Sequence, residues 1–250
     1  MKIKKIVLTA IMTAICVVLN EFVTIDIPPT ATPMIRLSIG IIPIFITAYY
    51  CGIFYATVEA TLADILGFFL VGASKGYAFN PGYTLNAFLS GIIIGFFILI
   101  RKFMNTKKGL FVLILTDIFF TVTSCLLFSY MYFHNNLLIG DRPIGALIAI
   151  ISFSVVINLG IIIYAIFARE NEDSNAIIIA FIVYQYIVSL CMTPLWVSML
   201  THIDYFHYWI MRMVTVPIQI VIYVLISKLI VYPLNKIYRS RLEKKEDNSN

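Results

Sequence analysis

The stretch Trp209-Ile-Met-Arg-Met-Val-Thr-Val-Pro-Ile-Gln-Ile-Val-Ile-Tyr223 places an arginine, a threonine and a glutamine inside a long apolar run. Trp209, Arg212, Thr215 and Gln219 recur at steps of three, three and four, so on a helix they share one side. Tyr208 and Tyr223 flank them. A guanidinium offers a planar fork of donors that suits a carboxylate. Pro217 removes one backbone N–H and loosens the helix around it. Such a stripe suits an anionic, flat ligand better than it suits lipid.

Other ionisable residues sit in similar runs. Glu59, Asp64 and Asp117 fall inside apolar segments, and Glu21 and Asp204 near segment ends. Charges placed there are costly and face the protein interior or a cavity. Each acid is either half of a structural ion pair or part of a ligand site. For Glu59 and Asp117 the ion-pair reading is favoured. For Asp64 both readings stand. His134, His202 and His207 lack an HExxH-type spacing, so no metal ligands and no catalytic residues are assigned. No Walker A pattern occurs, so the chain carries no P-loop ATPase site.

These residues are positioned by membrane-spanning helices. Apolar side chains make up 61% of the chain and charged ones 12%, with a mean hydropathy of +0.95; soluble domains lie far from this. The four cysteines show no CxxC spacing and read as small buried hydrophobes. A bilayer crossing takes about 20 apolar residues. Spans are expected at 5–24, 36–51, 53–72, 84–101, 110–133, 143–168, 176–201 and 208–232, about eight in all, and no signal peptide is removed. The second and third are the least well separated, since Pro43 and Gly52 interrupt the run.

With that count, Lys2, Lys4, Lys5, Arg101, Lys102, Lys107, Lys108, Arg169, Lys236, Arg239, Arg241, Lys244 and Lys245 fall on one side. Arg36, Lys75 and Arg142 fall on the other. The positive-inside rule makes the first side cytoplasmic, with both termini there. The net charge of +5 is thus a topology signal and points to no nucleic acid. The fold class is an all-α integral membrane protein. Residues 1–235 form one transmembrane domain, and 236–250 form a cytoplasmic tail, expected to be solvated and partly disordered. The connectors 25–36, with its three prolines, and 72–84 are expected to cover an outward pocket.

Small residues four apart mark close helix contacts. Ala56, Ala60, Ala63 and Gly67, and Ala87, Gly91 and Gly95, are expected to pack within the bundle. Ala10 and Ala14 lie near the cytoplasmic end of the first span, where a partner helix could dock.

Three stretches together resemble the substrate-binding S component of energy-coupling factor (ECF) vitamin transporters, in particular its folate-type branch. They are Thr9–Leu19 with its AxxxA arrangement, the run Ile35–Phe97 with its RLxxGxxP, ADxLG and PGYTL elements, and Thr193–Leu200 followed by Arg212–Gln219. The resemblance covers 1–104 and 176–235. It implies a six-helix core, to which 110–168 adds an inserted helical hairpin. It further implies a folate-like vitamin as ligand, a transmembrane coupling subunit and two ABC-type ATPases as partners, the cell membrane as location, and no cofactor. Ala10 and Ala14 would be the docking contacts. The pocket would map onto Arg36, Asn80, Tyr83, Trp196, Arg212 and Gln219, with Trp196 or Tyr83 stacking on a ring and Arg212 or Arg36 holding a carboxylate. The alternatives are an S component for a flavin, a purine-like base or a pterin precursor, an autonomous secondary transporter, and, least favoured, an intramembrane enzyme.

Overall fold

The apolar runs form helices joined end to end across the bundle. The computed structural model describes residues 2–27, 35–72, 79–134, 144–167, 173–202 and 204–247. Helix α1 (Lys2–Glu21) leads into strands β1 (Thr24–Ile27) and β2 (Ile35–Ser38). Helices α2 (Ile41–Cys51) and α3 (Ile53–Gly67) follow, and a π-helical turn Phe68–Gly72 ends the latter. Then come α4 (Pro81–Leu99), the short α5 (Arg101–Met104), α6 (Lys107–His134) and α7 (Ile144–Phe167). The last part is α8 (Ser174–Tyr184), a π-helical stretch Gln185–Met192, α9 (Thr193–Thr201) and α10 (Tyr205–Asp247). Among the described residues, seven helical segments are long and apolar enough to cross a membrane. The protein is a helical, multi-pass membrane protein.

Two details depart from the sequence reading. The second expected span is helical over only 11 residues, Ile41–Cys51, about 17 Å of rise against about 30 Å of hydrocarbon. Residues 36–38 of that segment are strand, and Gly40 turns the chain into the helix. Backbone polar groups of this stretch are satisfied inside the bundle, as non-helical chain at membrane depth requires. The Tyr223 hydroxyl donates to the Ser38 carbonyl at 2.6 Å, and the Cys16 thiol to the Gly40 carbonyl at 3.1 Å. The connector before it is not merely a loop: β1 and β2 pair antiparallel, with Asp26 opposite Arg36. Alternating Ile, Thr and Leu suit a strand, while the prolines lie at 28–33, outside the described residues. The second detail is the tail. Helix α10 continues to Asp247, so 236–247 is helical, because nothing between Pro233 and Asp247 breaks the pattern of good helix formers.

The small-residue faces of α3 and α4 pack as expected. A Cβ on Gly91 would lie 2.5 Å from the Thr57 Cα, and one on Gly95 2.7 Å from the Ile53 Cα. Backbones meet there because side chains are missing. On α1 the inner face is Thr9, Thr13, Cys16 and Val17. Ala10 and Ala14 lie on the opposite, exposed face, in line with Ile3, Val7, Ile11 and Val18.

One end of the bundle collects basic groups. Lys5 donates to the Cys51 carbonyl at 3.2 Å and sits over the Tyr55 ring. Asp173, in the left-handed region at φ 66°, accepts from the Tyr49 hydroxyl at 2.5 Å and from Asn105 Nδ2 at 3.0 Å. Arg101 lies 3.8 Å from the same carboxylate and over the Tyr49 ring. This clasp ties α2, α5 and α8 together. Helices α6 and α7 pack on each other and against α8 and α10, and Leu113, Phe128, Ile161 and Ala165 join the common core.

Candidate functional site

At the opposite end lies a cavity of about 460 Å³. Its walls come from the end of α1, the β2–α2 bend, the halves of α3 and α4 away from the basic end, the π-helical stretch with α9, and α10. The volume is that of a small-molecule site.

Arg212 is the cavity's cation. It is 8% exposed, and its Nη1 donates to Ser189 Oγ at 3.0 Å. Its Nε has no partner among the described residues, and no carboxylate there forms an ion pair with it. Tyr83, Tyr184 and Tyr223 stand around it. The serine reaches Arg212 because it sits in the π-helical stretch, which offsets the residues that follow it.

The stripe read from the sequence is divided by geometry. Arg212 and Gln219 line the cavity together with Tyr223. Trp209 does not; it is buried in the core. Thr215 turns its hydroxyl back to backbone carbonyls of its own helix. At 100° per residue, Gln219 and Tyr223 fall about 20° either side of Arg212, while Trp209 and Thr215 lie about 60° away. The centre line of the stripe is therefore 212–219–223.

Asn80 and Tyr83 also line the cavity. Asn80 is the N-cap of α4, its Oδ1 accepting from the Gly82 N–H at 2.8 Å ahead of Pro81 at the first turn. Trp196 is not a lining residue. Its ring lies flat against Gly82, where any Cβ would collide with it. Its Nε1 donates to Asn86 Oδ1 at 3.0 Å, and Asn86 Nδ2 donates to Thr193 Oγ1 at 3.2 Å. Trp196 thus sits behind the wall and orients Asn86, which does face the cavity. The reason is Gly82: with no side chain there, the indole drops into the space between α4 and α9. Arg36 lies in β2, and its side chain falls outside the described residues.

The cavity contains polar groups that the helical count left unassigned. Asn20, Glu21, Ser38, Asp64, Ser90 and Thr193 all line it. Ser38 Oγ donates to Asn20 Oδ1 at 2.6 Å, and Thr84 Oγ1 donates to Asp64 Oδ2 at 2.7 Å. Aromatic walls come from Phe68, Phe79, Tyr83, Tyr184 and Tyr223. A flat molecule with an anionic group and a hydrogen-bonding edge fits such a lining: rings against the aromatics, the anion on Arg212, the donor edge on a carboxylate.

Glu59 and Asp117 lie elsewhere. Both are 0% exposed, and neither carboxylate has a partner among the described residues. Among the described residues the expected ion pairs are not formed. Described cations cluster at the basic end, and Arg212 is turned to the cavity.

No family model matches the chain. A folate transporter FolT from Clostridium novyi (strain NT) is 30% identical over 109 residues, 44% of this chain and 58% of that protein. The match thus spans little more than half of that relative's length. A crystal structure of FolT bound with folic acid aligns over 90% of each chain, with a TM-score of 0.53 and 19% identity. The fold is FolT-like. That alignment reaches over most of the chain, including helices for which the shorter sequence match leaves no room.

Proposed function

We propose that the protein is the substrate-binding S component of an energy-coupling factor importer and that its ligand is folate. The observation that carries this reading is the cavity around Arg212, a buried cation with no ion-pair partner among the described residues, in a FolT-like fold. A folate glutamate tail would complete the guanidinium with charge-assisted hydrogen bonds of about 1.5–3 kcal/mol each. The pterin would lie between the aromatic walls, its amino-pyrimidinone edge towards Asp64. Asn80, Tyr83, Asn86, Gln219 and Tyr223 complete the contact set, and Trp196 supports it from behind.

The basic end faces the cytoplasm in this reading and carries both termini, so the cavity opens outward. Ala10 and Ala14, on the exposed face of α1, form the docking strip for the transmembrane coupling subunit. Two ABC-type ATPases supply the energy; this chain binds and hands over its cargo without catalysis. Residues 1–104 and 176–235 are the transporting core and 110–168 an inserted hairpin.

The test is uptake of labelled folate in cells lacking their own folate import. Accumulation should require this chain together with the coupling subunit and ATPases. Uptake by this chain alone in proteoliposomes, driven by a proton gradient without ATP, would instead make it a secondary transporter.

A further inference from the structure

The inserted hairpin is not joined to the core by apolar side chains alone. On α6, Asp117, Thr121 and Ser124 follow at steps of four and three; on α7, Ser154 and Asn158 are four apart. Each set makes one helix face, and all five residues are buried. From these faces Thr121 and Asn158 reach Tyr186 of the π-helical stretch. The Tyr186 hydroxyl lies 3.4 Å from Thr121 Oγ1, and its ring stacks on Phe120 with centroids 4.9 Å apart. Asn158 is a further polar group beside that hydroxyl, and the Asp117 carboxyl acts on it electrostatically.

Three acceptors there are unused. Asn158 spends its amide hydrogens on Ser154, Nδ2 to the carbonyl at 2.9 Å, which leaves its Oδ1 without a partner. Asp117 Oδ1 and Oδ2 have none either among the described residues. Asp117 is 0% and Asn158 2% exposed. A carboxylate that stays ionised in an apolar interior needs a compensating charge; without one it takes up a proton and is neutral.

We propose that Asp117, Thr121, Asn158 and Tyr186 form a binding site for a small monovalent cation, sodium in preference to potassium, at the seam between the hairpin and the core. The donors are all oxygen, the chemistry of a hard cation. One carboxylate balances one positive charge; a divalent ion would leave a charge uncompensated in the interior. A sodium-sized ion sits about 2.4 Å from oxygen, as calcium does, so neighbouring ligands of an octahedron are about 3.4 Å apart. The Thr121–Tyr186 separation of 3.4 Å matches that edge; a larger ion would need them further apart. From the same π-helical stretch, Tyr186 reaches α6 while Ser189 reaches Arg212 on α10, so occupancy would steady the stretch that holds the cavity's cation.

The experiment is thermal unfolding of the purified, ligand-free full chain in nanodiscs, titrated with NaCl, KCl or choline chloride at constant ionic strength. Leaving the vitamin out keeps the outcome independent of the folate reading. Sodium should raise the midpoint by about 5 °C, saturably, and the other two salts should not. Asp117→Asn should abolish the difference, and Thr121→Val should raise the sodium concentration needed at least tenfold, which keeps the test available if the first variant fails to fold. Equal midpoints in all three salts would overturn the proposal. So would a sodium response that survives Asp117→Asn or is untouched by Thr121→Val.

Discussion

Arg212 and Asp117 are both ionisable side chains buried in an apolar bundle, and their surroundings differ in kind. Arg212 borders a cavity of about 460 Å³, with a hydroxyl on one nitrogen and phenols around it. Asp117 lies at a seam between packed helices, among hydroxyls and one amide, outside that cavity's lining. A buried charge beside an open cavity is arranged for a molecule that comes and goes. One at a helix seam is arranged for something that stays, or exchanges slowly. The two regions thus handle the same energetic cost in two ways.

The strongest way to break that division is to separate transport from binding. Replacing Ala14 with Trp should abolish coupled uptake and leave folate affinity within about twofold, since the exposed side of α1 lies away from the cavity. Loss of both, read by uptake and calorimetry side by side, would move that face into the fold. Next in size, Arg212→Ala should weaken folate binding by about 2–4 kcal/mol, the scale of truncating one side of a buried charged pair. Unchanged affinity with a lowered melting temperature would make the arginine structural. Gly91→Val should destabilise the protein by about 1–3 kcal/mol through overpacking against α3, read as a drop in melting temperature. Smallest, Trp196→Phe should cost about 1 kcal/mol of affinity by releasing Asn86 from its hydrogen bond. An effect as large as that of Arg212→Ala would put the indole in direct contact with the ligand.

The sequence made the spans legible because hydrophobic length and lysine–arginine placement are properties of the chain itself. It also singled out Arg212 and Gln219, since a helix face follows from spacing. What it could not reach depends on other elements. Tyr223 looked like a flanking aromatic until the 3.6-residue period was carried one turn further. Trp196 was expected to face the ligand; its side is decided by Gly82 on another helix. The π-helical stretch that aims Ser189 at Arg212 leaves no composition signal, because tertiary packing sets it. The β1–β2 pair hid behind prolines that suggested only a stiff loop. Glu59 and Asp117 were read as halves of ion pairs because cost alone identifies a buried acid and says nothing about its neighbours. The polar ladders 117–121–124 and 154–158 were not singled out, since hydroxyls in an apolar run cost little, and the Tyr186 beside Thr121 lies on another element.

The central claim is that the Arg212 cavity holds a folate. Native mass spectrometry of the gently purified chain tests it most directly. The account predicts a bound species with the mass of a folate, retained by the unaltered protein and lost from Arg212→Ala. A chain that retains a different molecule through that substitution, or that stays empty when folate is added in excess, would contradict it.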